Sequence, residues 1–315
     1  MKAVVTGASG FIGCQLCSTL ASRGFEVVPI VRGGAVGGEV AVGNIGPVTD
    51  WQDAFSTQPE VVIHLAARVH VMKETATDSL EVFRQVNVLG TLNLAHQAVA
   101  AGVKRFIYLS SIKVNGEINT VDRPFRADDI PAPEDAYAIS KTEAEKGLRD
   151  IARETGLEVV IVRPPLVYGP SVKGNFATLV RWVCRGVPLP LGSVSNLRSL
   201  VALDNLIDFI VLCADCDRSP RAANEVFLIS DGEHVSTTEL LRNVAWAYGV
   251  SPRLISVPAH LIKAVVSMLG KGAVADRLLG SLVVDSSKAR ALLGWTPVIS
   301  MDEQLQKMAQ HDSLA

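Results

Sequence analysis

The sequence predicts an α/β protein: a doubly wound parallel sheet with a smaller C-terminal lobe. Three observations predict it. Short β-branched runs alternate with longer helical patterns through the first half of the chain. A Gly-rich turn joins the first run to the first helical pattern. Hydrophobic residues make up 48% of the chain and aromatics only 5%, the Val-, Leu-, Ala- and Ile-rich mixture of strands covered by helices on both faces.

The runs at residues 2–6, 26–31, 61–65, 105–110 and 158–163 are the expected strands. The patterns at 11–23, 51–55, 79–101 and 137–155 are the expected helices. Right-handed crossovers between such strands bring their C-termini to one edge, where ligands bind. From about Pro170 the pattern changes, and Pro170, Pro188 and Pro190 break the chain into shorter pieces. The apolar segments 199–213 and 226–229 are regular enough to return to the sheet. The expected division is a large unit of residues 1–170, with 199–230 returning to it, and a lobe of residues 171–198 and 231–315. The Gly-rich segment 33–46 reads as a loop.

Lys and Arg total 30 against 32 Asp and Glu, so the net charge is −2. No basic stripe points to nucleic acid. Lys2 is followed at once by Ala3-Val4-Val5-Thr6-Gly7, a strand entering a turn rather than a secretory leader. The apolar stretch 257–282 is broken by Pro258, His260, Lys263, Gly270, Lys271, Asp276 and Arg277. It reads as two packed helices, with no membrane insertion, and a cytoplasmic location is expected. Two C-x-x-C pairs, Cys14/Cys17 and Cys213/Cys216, fall in helical patterns without a metal-binding knuckle turn. They read as small packed residues, and no metal is expected.

Thr6-Gly7-Ala8-Ser9-Gly10-Phe11-Ile12-Gly13 sits between the first strand and the first helix. Gly7 suits a tight turn, Gly10 a close backbone approach to a pyrophosphate, and Gly13 close packing of helix on sheet. The helix N-terminus offers N–H groups to phosphates. This position makes the loop a Rossmann dinucleotide site rather than an ordinary turn. An acid at the end of the second strand commonly holds the adenosine ribose of NAD. Here Glu26-Val27-Val28-Pro29-Ile30-Val31 ends on Arg32, whose guanidinium suits a 2′-phosphate. NADP(H) is therefore favoured, with NAD(H) as the other cofactor such a site can hold.

Tyr137 and Lys141 lie four residues apart and share a helix face. Ser110-Ser111 ends a strand on the ligand edge. The three form a proton-transfer set: Ser111 orients a substrate oxygen, Tyr137 gives or takes its proton, and Lys141 lowers the phenol's pKa and holds the nicotinamide ribose.

With these residues the chain resembles the extended short-chain dehydrogenases/reductases of the epimerase/dehydratase type over nearly its whole length. The likeness rests on TGASGFIG (6–13), HLAA (64–67), YLSS (108–111), YAISK (137–141), RPPLVYGP (163–170), RSLVALDNL (198–206) and DSSKARALLGW (285–295). It implies that Phe11 and Ile12 contact the pyrophosphate and that Asn44 and Ile45 lie at the adenine. It also implies that Leu65, Ala66, Ala67 and Asn87 line the cofactor, with Pro165 beside the nicotinamide. Arg198 matches the arginine that grips a sugar-nucleotide diphosphate, and Asn175 is a further substrate-site candidate. The bland readings are a core role for His64, a purely structural bridge for Asn87 and a surface position for Arg198. A UDP-sugar substrate and a homodimer through helices 79–101 and 137–155 are further implications.

Two departures narrow the chemistry. Leu166 stands where many relatives carry Asn, which removes one polar substrate contact. Ile112 and Lys113 follow Ser111 where dehydratases carry an acid pair, which argues against 4,6-dehydration. HLAARVHVM (64–72), LSSIKVNGE (109–117) and VKGNF (172–176) are similar to a bacterial group of UDP-glucose 4-epimerase-like proteins of surface-polysaccharide synthesis. That group includes UDP-4-keto-sugar 4-reductases. Arg32 tips the expectation toward NADPH-dependent reduction of a UDP-4-keto-6-deoxy-N-acetylhexosamine to UDP-N-acetylquinovosamine, with UDP-sugar 4-epimerisation as the alternative. A non-catalytic NADP-binding regulatory protein is the reading of another class; it would have no need of an intact Ser111, Tyr137 and Lys141.

Overall fold

The computed structural model describes residues 1–69, 79–268 and 272–314. Its strands, in chain order, are β1 (Lys2–Thr6), β2 (Glu26–Val31), β3 (Val40–Ala41), β4 (Val61–His64), β5 (Arg105–Leu109), β6 (Glu158–Arg163), β7 (Leu166–Tyr168), β8 (Arg198–Ala202), β9 (Val226–Leu228) and β10 (His234–Val235). Seven form one sheet in the order β3-β2-β1-β4-β5-β6-β9, parallel throughout. The strand order reverses at β1/β4, which opens a crevice at the strand C-termini there. β4 and β5 are buried at every position, the mark of strands covered on both faces.

The helices are α1 (Phe11–Ser22), α2 (Gln52–Phe55), α3 (Ser79–Phe83), α4 (Thr91–Ala100), α5 (Ala136–Thr155), α6 (Gly174–Cys184), α7 (Leu203–Ala214), α8 (Thr237–Ala247), α9 (Ala259–Met268), α10 (Gly272–Leu279), α11 (Ser287–Leu293) and α12 (Met301–Leu314). Alternation along each strand divides the core. Val4, Val62, Phe106, Val159 and Ile161 pack with α2, α4 and α5. Val5, Ile63, Ile107, Val160 and Val162 pack with α1, α7 and α11 on the opposite face. The stretch expected as two helices at 257–282 contains α9 and α10, with residues 269–271 outside those described. Among the described residues no helix is long and apolar enough to cross a membrane.

Two local features differ from a plain reading of periodicity. The pattern at 79–101 is not one α-helix: a π-helical segment, Arg84–Gly90, separates α3 from α4. It carries Asn87 into the interior at 1% exposure. Widened turns of this kind occur frequently at functional sites. The segment 199–213 is also two elements. β8 pairs with β7 and β10 in a second, three-stranded sheet, while α7, with Val201 of β8, packs on the large one. The second sheet lies over its own core, which includes Tyr168, Phe176, Val180, Leu200, Leu241, Val244 and Leu305.

α5 carries the Tyr137–Lys141 pair, and its seating is specified by polar groups. Asp135 caps it, accepting a hydrogen bond from Ala138 N at 2.7 Å, and Gly156 ends it at φ +77°. Its Glu145 is buried against Arg163 of β6, with Nε–Oε1 2.9 Å and Nη2–Oε2 2.6 Å. Ser110 Oγ donates to the same carboxylate at 2.6 Å, and Arg163 Nη1 donates to Asn115 Oδ1 at 3.0 Å. Arg163→Met leaves the Glu145 charge without its main partner in the interior and should cost ~3–5 kcal/mol of stability in urea unfolding. Arg163→Met combined with Glu145→Leu should recover much of that loss; an unchanged midpoint for the single variant would show that the pair does not seat the helix.

Candidate functional site

The crevice between β1 and β4 is lined by backbone. Gly7 follows β1 at φ +70°, and a Cβ there would come within 3.0 Å of Ala66 N, across the crevice. A Cβ on Gly13 would stand 2.1 Å from the Gly7 carbonyl oxygen, so helix and turn pack as closely as backbone permits. Gly10 is the exposed N-cap of α1; no side chain caps it, and no acid lies in the first turn. Uncapped N–H groups without a nearby carboxylate fit a pyrophosphate at Gly7, Gly10, Phe11, Ile12 and Gly13. Leu65, Ala66 and Ala67 are half-buried on the facing rim. Residues 70–72 of the HLAARVHVM motif lie outside the described residues.

Beneath this cradle a polar chain ties the strands together. Ala66 N donates to Thr6 Oγ1 at 3.2 Å, Thr6 Oγ1 lies 2.7 Å from His64 Nδ1, and His64 Nε2 lies 2.9 Å from Thr91 Oγ1. Burial, with the nearby Lys141 charge, pulls the imidazole pKa down to about 3. His64 is thus a neutral core residue and no base. Asn87 holds the strand-end loop through both its amide atoms: Arg68 N donates to Oδ1 at 2.8 Å and Nδ2 donates to Arg68 O at 3.1 Å. Nδ2 also donates to Ser140 Oγ at 3.0 Å, which brings in α5. The bridge foreseen for Asn87 is therefore present, and it joins the crevice to the helix bearing Tyr137.

At the C-terminal end of β2, Arg32 is exposed, with no carboxylate closing that strand. Asn44 is exposed, its carbonyl accepting from Thr49 Oγ1 at 3.2 Å. Ile45 packs on the end of the π segment, where a Cβ on Gly90 would meet its Cγ2 at 2.7 Å.

Lys141 reaches from α5 to the end of β5, two residues before Ser111, with Tyr137 one helical turn away on the same helix. Lys141 is 2% exposed, and its Nζ donates to Leu109 O at 2.8 Å, 4.4 Å from the Tyr108 ring centre and 6.0 Å from that of Tyr137. Ser111 is half-buried and accepts from Lys113 N at 3.3 Å. Burial pulls the Lys141 pKa down to about 7, against the opposing pull of Glu145. Tyr137 departs from the expectation of a lowered pKa. Burial, reinforced by Asp135, pushes the phenol well above its ordinary range, so desolvation outweighs the ammonium in the resting protein.

On the neighbouring strand ends, Pro165 is buried beside this group: Ile112 N donates to Pro164 O at 3.0 Å. Leu166 is 46% exposed. Arg198 opens β8, partly buried, with Nη1 donating to Gly280 O at 3.1 Å. Asn175 is exposed in the first turn of α6, in the lobe. Among the described residues no cluster of His, Cys, Asp or Glu could hold a metal ion. Cys14 is exposed, Cys17 and Cys216 half-buried and Cys213 buried, all as thiols. Sequence reasoning missed Glu145 and Lys113. The spacing Tyr137, Lys141, Glu145 on one helix face is the signal that marks the first; nothing in the sequence marks the second as part of the site.

The NAD dependent epimerase/dehydratase family model matches residues 3–229. A UDP-glucose 4-epimerase of Vibrio cholerae is 45% identical over 312 residues, covering 98% of this chain and 94% of that protein. The Thermotoga maritima UDP-glucose 4-epimerase solved with UDP-glucose has the same fold, at TM-score 0.78 and 24% identity, with 100% of both chains covered. So does RMD from Pseudomonas aeruginosa complexed with NADPH, at TM-score 0.77 and 23% identity, covering 100% of this chain and 99% of that one. The phosphate cradle, the strand order and the family match agree: the chain belongs to the NAD dependent epimerase/dehydratase family.

Proposed function

We propose that the protein is a nucleotide-sugar oxidoreductase acting at C4 of a UDP-linked hexose. In this reading it reduces the 4-keto group of a UDP-4-keto-6-deoxy-N-acetylhexosamine to give UDP-N-acetylquinovosamine. The observation that carries the reading is the Tyr137–Lys141 pair beside Ser111, at the mouth of a dinucleotide cradle whose second strand ends on Arg32 rather than an acid. A second reading, UDP-sugar 4-epimerisation, is favoured by the 45% identity to the Vibrio cholerae UDP-glucose 4-epimerase. Both readings use the same residues; they differ in whether the reduced cofactor comes from solution or is regenerated in place. NADPH consumption with UDP-4-keto sugars, run beside an epimerase assay with UDP-glucose and UDP-N-acetylglucosamine, separates them.

A nicotinamide, when bound, supplies or accepts the hydride. Gly7, Gly10, Phe11, Ile12 and Gly13 would hold its pyrophosphate, Arg32 a 2′-phosphate, Asn44 and Ile45 the adenine, and Leu65, Ala66, Ala67 and Pro165 the walls. Lys141 would hold the ribose. Ser111 orients the C4 oxygen, Tyr137 protonates it as it becomes an alkoxide, and Arg198 holds the diphosphate, with Asn175 a further sugar contact. The raised phenol pKa suits an acid, since Tyr137 stays protonated across the working range. The proton that Tyr137 gives up is replaced from the ammonium side, where Lys141 sits ready to release one near neutrality. The chain pairs with a second copy through helices 79–101 and 137–155; Leu89, within the first of these segments, is 40% exposed.

Tyr137→Phe keeps the ring and removes the acid, so kcat for reduction should fall by about 10²–10⁴-fold with cofactor affinity nearly unchanged. Lys141→Met should be worse in kcat and should also weaken the cofactor. A Tyr137→Phe enzyme at half the native rate would mean the proton comes from elsewhere. The pH dependence follows from the same groups. Below about 7 Lys141 is charged and above it neutral in the free protein. Turnover in the reductive direction needs Lys141's proton to restore Tyr137, so kcat for reduction should decline as pH rises through that value, while the reverse oxidation should gain. A flat reductive profile from pH 6 to 9 (about three units, wide enough to cross the Lys141 titration) would contradict this assignment. Arg32→Asp should weaken NADPH by about ten- to a hundredfold, the worth of a charge-assisted hydrogen bond, and spare NADH; fluorescence titration of both cofactors decides it.

A further inference from the structure

Lys141 carries its amino group into the interior, where few acceptors are at hand. Among the described residues Nζ makes one hydrogen bond, to Leu109 O at 2.8 Å. It also stands over the face of Tyr108, 4.4 Å from the ring centre, inside the ~6 Å reach of a cation over an aromatic ring. Tyr108 is wholly buried, so the ring has no room to swing away. Its place on β5 is fixed by register: it lies opposite His64 of β4, and the two rings stack at 5.9 Å with 18° between their planes. The other titratable groups around Lys141 do different work. His64 is held neutral by burial. The Tyr137 ring is farther off, at 6.0 Å. Glu145 lies one turn on along α5 and supports the same charge, while its oxygens also accept from Arg163 of β6 and from Ser110.

We propose that Tyr108 is a positioning residue: the face of its ring seats the Lys141 ammonium at the end of β5 and helps to keep it charged there, leaving its remaining N–H groups for the nicotinamide ribose and the Tyr137 oxygen. The use made of that charge rests on the nucleotide-sugar oxidoreductase reading. A carboxylate in place of the ring would form an ion pair, hold the proton across the working range and occupy the N–H groups that a cofactor needs. An aliphatic side chain would leave desolvation unopposed on that side, and the lysine would lose its proton too early. A ring face attracts the cation, takes no proton and consumes no hydrogen bond. It suits a lysine that must both carry a proton and release it.

Two pH profiles on the full chain test this. One is the affinity for NADPH and NADH by fluorescence titration, which needs no sugar; the other is kcat for reduction of a UDP-4-keto sugar. In the native protein both should decline as pH rises through about 7. Tyr108→Leu removes the ring face and should move both midpoints down by about half to one and a half pH units, the worth of a buried cation–π contact. Above the midpoint this is roughly a three- to thirtyfold loss of kcat, recovered on acidification. Tyr108→Phe, which keeps the face, should hold the native midpoints. Where Tyr108→Leu folds poorly, fluorinated phenylalanines at position 108 keep the ring's shape and drain charge from its face, and the midpoints should step down with each added fluorine. A ring that merely fills space would lower the melting temperature in Tyr108→Leu and leave the midpoints in place. Midpoints unmoved in Tyr108→Leu, no trend across the fluorinated series, or a native cofactor affinity that is flat with pH overturns the proposal. Cofactor midpoints that shift as expected in a protein that turns over no UDP-sugar overturn the nucleotide-sugar reading and leave the seat of Lys141 standing.

Discussion

The buried contact between Glu145 and Arg163 is the constraint on which the rest of the arrangement depends. Two opposite charges with almost no solvent access persist only when geometry and hydrogen bonds satisfy both. Here a bidentate pair is completed by Ser110 and Asn115. Each partner belongs to a different part of the chain: Ser110 follows β5 next to Ser111, Arg163 ends β6 two residues before Pro165, and Glu145 lies one turn beyond Lys141. Seating this pair fixes how far α5 stands from the sheet and how it is rotated. The cradle at the other end of the crevice is backbone and can be formed by glycines alone. The reacting end needs side chains at defined heights, and the ionic contact sets them.

The same helix shows how burial tunes chemistry. Lys141 is held among Leu109, Tyr108 and Tyr137, and burial outweighs the support of Glu145, so its ammonium is easily surrendered. Tyr137, desolvated and facing Asp135, keeps its proton. The order of acidity is thus reversed from that of the free side chains, where lysine and tyrosine titrate close together. In the proposed reduction, a pair so ordered passes a proton from lysine toward tyrosine once the phenol has given up its own.

Much of this was legible in the sequence because it is local. β1, β2 and β6 fall where their β-branched runs place them, and Gly7 and Gly13 carry the contacts that their spacing implies. Tyr137 and Lys141 share a face because four residues make about one helical turn. What was not legible depends on partners distant in sequence. The π segment at Arg84–Gly90 has an ordinary helical pattern and is widened by Asn87 reaching Arg68 and Ser140. β8 has the composition of a core strand, yet it pairs with β7 and β10. The sign of the Tyr137 shift was missed because a sequence displays the ammonium four residues away and not the depth of burial that outweighs it.

Asp231 gives the lobe a particular mechanical character. Its carboxylate accepts from Tyr168 Oη, Ala202 N and Asn205 Nδ2, each at 2.7 Å, while Asn205 Oδ1 accepts from Val298 N at 2.8 Å and Ile299 N at 3.0 Å. One buried acid thus knots β7, β8, α7 and the approach to α12. A knot of this kind ties α7, which packs on the large sheet, to β7 and β8 of the small one, so a shift of either sheet at this point would break several hydrogen bonds to one carboxylate at once.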